Sequence, residues 1–141
     1  MVNSIEERSV FSKVSQIGIV VKDVEKHLKL YEKMFGVEPF PTVESAINSA
    51  KLKIVLFELG EVEIELIQVV EGESIHSRFL KERGEGLHHL GFFVKDIEKE
   101  LTRLEKEGIR ALERGEVLGA VKFAYLDTED TLGVVLELIQ Y

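Results

Sequence analysis

The hydrophobic pattern along the chain predicts the same small unit twice. Apolar residues alternate with other residues over 14–22 and again over 87–95, which is typical of half-buried strands. Each stretch runs into a segment with apolar residues at helical spacing, and three further strand-like runs follow. The predicted unit is therefore β-α-β-β-β. Its last three strands are expected near 39–44, 51–59 and 61–70 in the first copy and near 110–114, 120–127 and 132–140 in the second.

A direct sequence repeat supports this interpretation. VSQIGIVVKDV (14–24) aligns without a gap to LHHLGFFVKDI (87–97), and the helical segments that follow also match. The tetrapeptide ELIQ occurs at 65–68 and again at 137–140. The offset between these two copies is one residue shorter than the offset between the two strand segments. The single change of offset is expected at the end of the first helix. A collinear series of matches of this kind indicates a duplication.

The duplication predicts an α+β fold with two βαβββ modules, each a small curved mixed sheet that carries its helix on one face. We expect one compact domain. Its parts are an N-terminal extension (1–13), a first module (14–70), a linker with a short helix (71–86) and a second module (87–141). Asp23 and Asp96 are the expected N-caps of the two long helices, and Gly36 and Gly108 are expected at their ends.

Composition narrows the class of protein. The chain has 141 residues, of which 45% are hydrophobic and 31% charged, as in globular domains. A net charge of −8 with interspersed Lys and Arg argues against nucleic acid as the main partner. No apolar run approaches the roughly 18–20 residues of a membrane span, and the first ten residues lack the apolar stretch of a signal peptide, so a cytoplasmic location is expected. There are no cysteines, which excludes disulfides and thiolate metal ligands.

Four polar side chains interrupt the apolar strands at positions related by the repeat. Alternation places Gln16, and His89 in the second copy, on the face away from the helices. Glu65 and Glu137, in the last strand of each module, face the same way. A single strand histidine is usually structural, and a single strand glutamate is usually solvated. Because these four form two symmetry-related pairs, we expect them to meet in one cavity if the modules pair.

Two carboxylates in such a cavity predict a cation between them. Buried together they would repel, and one would take up a proton. Two glutamates with a neutral histidine and glutamine balance the charge of a divalent ion. Nitrogen and oxygen ligands suit Co, Zn, Ni, Mn or Fe, and ligand type does not choose among these. The predicted ligands are Gln16, Glu65, His89 and Glu137.

The repeated motifs resemble those of the vicinal oxygen chelate (glyoxalase/bleomycin resistance/dioxygenase) superfamily. The resemblance lies in SQIGIVVKDVEKHLKLYEKMFG and HHLGFFVKDIEKELTRLEKEG, with VEIELIQ and GVVLELIQ, and covers about 14–141. It implies a glyoxalase-like fold that forms a metal-containing cup, with ligands at the four positions above, and a homodimer. The join ESIHSRFLKERGEGLHHLGFFVKDI and the terminal GVVLELIQ are most similar to methylmalonyl-CoA epimerases.

The chain departs from the epimerase pattern at two ligand positions. Gln16 stands where epimerases usually have a histidine, and Glu65 stands where they commonly have glutamine. The resulting ligand set is instead similar to that of one group of glyoxalase I enzymes. Epimerases also carry a second acidic base after the first helix, and the nearest candidate here is Glu44 in PTVESAIN.

The resemblance implies removal of a proton α to a carbonyl through a metal-stabilised enolate. We expect a metal-dependent isomerase, a methylmalonyl-CoA epimerase acting on an acyl-CoA thioester. Glu137 is the expected base, and Glu44 or Glu65 the second. The alternatives are a glyoxalase I-like lactoylglutathione lyase and a non-catalytic small-molecule binding protein on the same fold. A ring-cleaving Fe(II) dioxygenase is disfavoured because Gln16 removes one of the two histidines that it needs.

The other histidines are expected to be structural. His27 and His76 fall on predicted helices and are expected to be exposed. His88 is expected to point away from His89, because successive strand residues face opposite sides.

Overall fold

The computed structural model describes residues 11, 13–117 and 119–141. Within these ranges eight strands and four helices follow the order of two βαβββ units joined by a helix. The first unit contains β1 (Gln16–Val20), α1 (Val24–Phe35), β2 (Val43–Ile47), β3 (Ala50–Leu59) and β4 (Val62–Gly72). The joining helix is α2 (Ile75–Arg83). The second unit contains β5 (Gly86–Phe93), α3 (Ile97–Lys106), β6 (Ala111–Val117), β7 (Val121–Leu126), the short α4 (Glu129–Leu132) and β8 (Val135–Gln140).

The strands form one continuous sheet in the order β2-β3-β4-β1-β5-β8-β7-β6. Within each unit the first strand pairs in parallel with the last, and the remaining pairs are antiparallel. The first strands of the two units pair antiparallel, so the two expected sheets are halves of one. The edge strands approach each other, and Asn48 Nδ2 donates a hydrogen bond to Glu113 Oε1 at 2.6 Å. This confirms the α+β fold of two βαβββ modules curved into a cup.

Each long helix packs on the outer face of its own half of the sheet. α1 contributes Val24, Leu28 and Tyr31 to a core with residues of β3 and β4. α3 contributes Ile97, Leu101 and Leu104 to the equivalent core against β7 and β8. Burial of these apolar stripes leaves the opposite face of the four central strands free to line the cup.

The helix ends follow the predicted capping. Asp23 accepts from Lys26 N–H at 3.2 Å, and Asp96 accepts from Lys99 N–H at 3.1 Å. Gly36 ends α1 with φ 62°, in the left-handed region that glycine adopts most easily. Gly108 lies two residues after Lys106, the last residue of α3, with φ 81°.

The glutamines of the two ELIQ copies hold the starts of the long helices. Gln68 Oε1 accepts from Val24 N–H at 3.0 Å, and Gln140 Oε1 accepts from Ile97 N–H at 2.8 Å. The first amides of a helix have no partner within the helix. Each terminal glutamine therefore ties the last strand of a module to the helix of that module.

The structure differs from the expected strand limits in three places, one of which is β6, which continues to Val117 rather than ending near 114. β2 begins at Val43 rather than near 39. The segment expected as a strand from 132 starts as a helix. α4 ends at Leu132, Gly133 caps it with φ 80°, and β8 begins only at Val135. Among the described residues no helix combines the length and the apolar character needed to cross a membrane.

Candidate metal centre

The concave face of the sheet encloses a cavity of about 190 Å³. Most of its lining is aliphatic or aromatic, from strands of both halves. Its polar lining residues are Gln16, Glu65, His76, Tyr125, Glu137 and Tyr141. A small number of polar groups in an apolar cavity is typical of small-molecule sites.

Three oxygen atoms surround one ring nitrogen of His89. His89 Nε2 lies 2.9 Å from Glu137 Oε2 and 3.3 Å from Glu65 Oε1. It also lies 3.2 Å from Gln16 Oε1. The four residues come from the central strands β1, β4, β5 and β8, which are neighbours in the sheet. The structure therefore brings together all four residues that the repeat singled out.

Two glycines make this convergence sterically possible. Gly18 is the register partner of His89 across the β1–β5 pair, and Gly91 is the register partner of Gln16. A methyl group on Gly18 would overlap the imidazole ring of His89. A methyl group on Gly91 would lie 3.0 Å from Gln16 Cβ. His89 thus lies over Gly18, which follows Gln16 by two residues. Gln16 in turn lies over Gly91, which follows His89 by two residues.

Burial and charge set the protonation of the cluster. His89 is fully buried and Glu137 nearly so. Burial lowers the pKa of His89, but Glu137 and Glu65 act more strongly in the other direction, and the pKa is raised to about 10. Burial also raises the pKa of Glu137, against the attraction of His89. The contacts with Glu137 and Glu65 therefore favour the protonated form of His89.

The donor set fits a divalent cation in place of that proton. Ligand atoms of Glu65, His89 and Glu137 all lie within 4.8 Å of one another. Among the described residues Glu137 Oε2 is a buried acceptor whose nearest charged contact is His89 Nε2 at 2.9 Å, and no hydrogen bond is assigned to it. Two carboxylates, an imidazole and an amide oxygen match the oxygen and nitrogen preference of divalent transition metals.

The histidines behind the cluster correct two expectations. His76 is buried, not exposed, because Ser74 caps α2 and starts the helix against the sheet. His76 Nε2 lies 2.9 Å from Tyr125 Oη. His88 lies in a central strand at a β-bulge, where Gly18 pairs with His89 and Ile19 pairs with Leu87. A bulge breaks strict alternation, so the rings of His88 and His89 meet with their Nδ1 atoms 3.0 Å apart.

These inner histidines are neutral. Burial lowers the pKa of His76 to about 3 and that of His88 to about 2, with His89 acting in the same direction. Nitrogen atoms of His76, His88 and His89 also lie within 4.8 Å of one another. That group has no carboxylate to offset a buried cation, so the group with Glu65 and Glu137 is the better candidate.

The structure does not bring Glu44 to this cluster. Glu44 lies in the edge strand β2, is exposed, and pairs with Lys51 at 3.6 Å. Its strand neighbours Val43 and Ile47 line the cavity, whereas Glu44 lines a separate open groove of about 690 Å³. Strand alternation accounts for this, because Val43 and Ile47 face the cavity and Glu44 is offset from both by an odd number of residues.

Sequence reasoning missed Glu63, which accepts a hydrogen bond from Gln16 Nε2 at 2.7 Å. A signal was present in VEIELIQ, where Glu63 and Glu65 are two residues apart and so share one face of the strand. Burial raises the pKa of Glu63, while the hydrogen bond from Gln16 acts in the opposite direction.

Residues 15–125 match the family model of the glyoxalase/bleomycin resistance protein/dioxygenase superfamily. The chain belongs to this superfamily. The match begins next to Gln16 and ends at Tyr125, so it spans three of the four strands that supply the cluster. The expected family is therefore confirmed.

Within the superfamily, the chain is similar to proteins with and without an assigned activity. It is 27% identical to the uncharacterized protein YqjC of Bacillus subtilis (strain 168) over 131 residues, which cover 92% of each chain. It is 28% identical to mitochondrial methylmalonyl-CoA epimerase of Bos taurus over 134 residues, which cover 91% of this chain and 74% of the epimerase. The crystal structure of hypothetical protein BH1468 from Bacillus halodurans C-125 superimposes with a TM-score of 0.79 at 27% identity, covering 92% of this chain and 94% of that one.

Proposed function

We propose that the protein is a metal-dependent isomerase that moves a proton at a carbon next to a carbonyl group. The candidate reaction is the epimerisation of methylmalonyl-CoA or of a related acyl-CoA thioester. The observation that carries this proposal is the convergence of Gln16, Glu65 and Glu137 on His89 in an otherwise largely apolar cavity. The similarity to bovine methylmalonyl-CoA epimerase supports the substrate class.

Gln16, Glu65, His89 and Glu137 are the proposed ligands of a divalent cation. When bound, such a cation polarises the carbonyl group of the substrate and lowers the barrier to removal of the neighbouring proton. Most of the cavity lining is apolar, and apolar surroundings strengthen the electrostatic contribution of each buried group. The aliphatic walls accommodate the acyl part of the substrate.

Glu137 and Glu65 are the proposed proton carriers. Epimerisation removes a proton from one face of a carbon and returns one to the other, so it needs two groups on different sides. Glu65 belongs to β4 and Glu137 to β8, the strands that flank the central β1–β5 pair. Glu44 is exposed on the opposite face of β2, and Glu65 therefore takes the role of second base in this proposal.

A second candidate is the glyoxalase I type of reaction, in which a proton moves between adjacent carbon atoms. The presence of two carboxylates at His89 favours it, because the same two groups could shuttle that proton.

A homodimer is also proposed, from the resemblance to the superfamily. Sedimentation equilibrium tests it: a species of about 32 kDa is expected, twice the 16.0 kDa of the chain.

Metal analysis and α-proton exchange test the function. Purified protein is loaded with Co²⁺ or Zn²⁺ and incubated with methylmalonyl-CoA in deuterated water, and loss of the α-proton signal is followed by NMR. We expect exchange in the unmodified protein and a large loss in Glu137→Gln and Glu65→Gln. Glu44→Gln is the matched control and should retain the exchange rate.

The outcomes separate the candidates. Turnover of a glutathione hemithioacetal without thioester exchange would support the glyoxalase type. Tight metal binding with neither activity would favour a binding protein on this fold. Exchange that survives Glu137→Gln would exclude Glu137 as the base.

A further inference from the structure

Glu63 contacts a candidate ligand but has no part in the proposed reaction. It is the register partner of Gln16 in the parallel β1–β4 pair, and its Oε1 accepts from Gln16 Nε2 at 2.7 Å. Glu63 is half-buried and faces the same side of β4 as Glu65. The question is what a third carboxylate contributes beside a site that already has two.

The pair formed by Gln16 and Glu63 has no counterpart at the equivalent positions of the second module. Two rows of register partners cross the four central strands. They are Glu65, Gly18, His89 and Val135 in one row, and Glu137, Gly91, Gln16 and Glu63 in the other. The two rows are related by the repeat and agree at the glutamate and at the glycine. They differ at the ligand, which is His89 in the first row and Gln16 in the second. They also differ at the residue beside that ligand, which is Val135 in the first row and Glu63 in the second.

The chemistry of the amide explains why these two differences occur together. A glutamine side chain carries an oxygen acceptor and an NH₂ donor of nearly the same shape, and only the oxygen can be a metal ligand. An ionised carboxylate accepts hydrogen bonds and cannot donate them. Beside Glu63, Gln16 must therefore turn Nε2 outward, which leaves Oε1 at 3.2 Å from His89 Nε2. His89 has no such ambiguity, and its neighbour Val135 is apolar and fully buried.

We propose that Glu63 is a positioning residue that fixes the side-chain amide of Gln16 with its oxygen toward the metal site. This role rests on the proposed function, because an oxygen is required only if Gln16 is a ligand. Partners of this kind, which bind a ligand from behind, typically change metal affinity by about 10–100-fold when they are lost.

Three variants and one control test this role by Co²⁺ titration, followed by visible absorption and calorimetry. Glu63→Gln keeps the shape but can donate as well as accept, so Gln16 is free to turn. Glu63→Val copies the second module. We expect both to weaken Co²⁺ binding by about 10–100-fold. Combining Glu63→Gln with Gln16→Glu should restore the affinity to within about threefold, because a carboxylate at position 16 offers oxygen in either orientation.

The control variant separates orientation from charge. Glu58 is exposed and lies across the β3–β4 pair from Glu63, so Glu58→Gln removes a nearby negative charge but leaves the contact with Gln16. We expect it to bind Co²⁺ normally. In the metal-free protein, the NMR signals of the Gln16 NH₂ group should move on Glu63→Val and stay in place on Glu58→Gln.

The results are decisive in each case. Normal Co²⁺ affinity in Glu63→Gln and Glu63→Val would overturn the role of Glu63 and leave the proposed function standing. Equal weakening by Glu58→Gln would also overturn it, in favour of a general charge effect. Absence of Co²⁺ and Zn²⁺ binding in the unmodified protein would overturn the proposed function and this role together.

Discussion

The imidazole ring of His89 lies over the Cα of Gly18, in the space that any side chain at position 18 would fill. The contact joins the first strands of the two modules, where Gly18 and His89 are register partners. The glycine of QIGI is therefore a steric requirement for His89, a candidate ligand that lies in the other half of the chain.

Gly18→Ala should displace His89 and impair the site. Overpacking of this kind costs about 1–3 kcal/mol of unfolding free energy, and here the overlap is with a candidate ligand. We expect loss of most Co²⁺ affinity together with a lower Tm. Gly91→Ala is the graded comparison, because its new methyl group would meet Gln16 Cβ at 3.0 Å rather than overlap a ring. A Gly18→Ala protein that binds Co²⁺ as tightly as the parent would contradict this account.

Metal binding should release protons. Because the pKa of His89 is raised to about 10 in the metal-free protein, the imidazole is protonated at neutral pH and must lose its proton to bind a cation. Affinity should therefore rise about tenfold per pH unit between about pH 6 and 9. Calorimetry in buffers of different ionisation enthalpy would measure about one proton released. An affinity that is independent of pH across this range would show that His89 is not a ligand.

Acid should destabilise the protein through its buried neutral histidines, and His76, which shares this property with His88, is the one to vary. Its pKa is about 3 in the folded state against 6.5 for an unburied histidine, so the unfolded chain binds the extra proton first as pH falls. Stability is then lost progressively from about pH 6.5 toward pH 3, by about 1.4 kcal/mol per pH unit. Urea denaturation at pH 7 and pH 5 should show a smaller difference for His76→Phe than for the parent.

The matched control for that experiment is Tyr125→Phe. It removes the hydroxyl group beside His76 but keeps the buried imidazole. It should lower stability at both pH values while preserving the pH dependence. An unchanged dependence in His76→Phe would place the acid sensitivity elsewhere.

The two ELIQ glutamines should stabilise the helices independently of the metal site. Gln68→Ala and Gln140→Ala each leave a helix amide without its partner, at a cost of about 0.5–2 kcal/mol of unfolding free energy. The two effects should add, because the contacts lie in different modules. Gln140→Glu keeps an acceptor and should cost less than Gln140→Ala. Chemical denaturation gives these differences, and Co²⁺ affinity should be unchanged in all of them.

Periodicity and the repeat were sufficient to predict the two βαβββ modules and the helix caps, because both depend on local alternation and on residues at helix ends. The same alternation identified Gln16, Glu65, His89 and Glu137, whose grouping the structure displays. Their role as ligands stays a prediction, as do the domain limits at 70 and 86. The pairing of β1 with β5 was not predictable in register, because it depends on contacts between distant segments.

The misplaced residues have local causes. His88 lies against His89 because a one-residue bulge breaks the strand alternation that predicts opposite faces for the two side chains. His76 is buried because the short helix packs its first turn on the sheet, which an amphipathic pattern of nine residues does not reveal. The contact of Glu63 with Gln16 is not predictable from local alternation, because it depends on the register of β1 against β4.

The antiparallel β1–β5 pair places an approximate two-fold axis between the halves of this chain. Two separate copies of a single module, paired in the same way, would present the same cup with identical residues on both sides. In such a symmetric pair of identical modules, a substitution at a ligand position would appear on both sides of the axis at once. Once fused, the halves were free to diverge, and the chain now has imidazole on one side of the axis and an amide on the other. The candidate ligand set is therefore symmetric at Glu65 and Glu137 and unsymmetrical at His89 and Gln16.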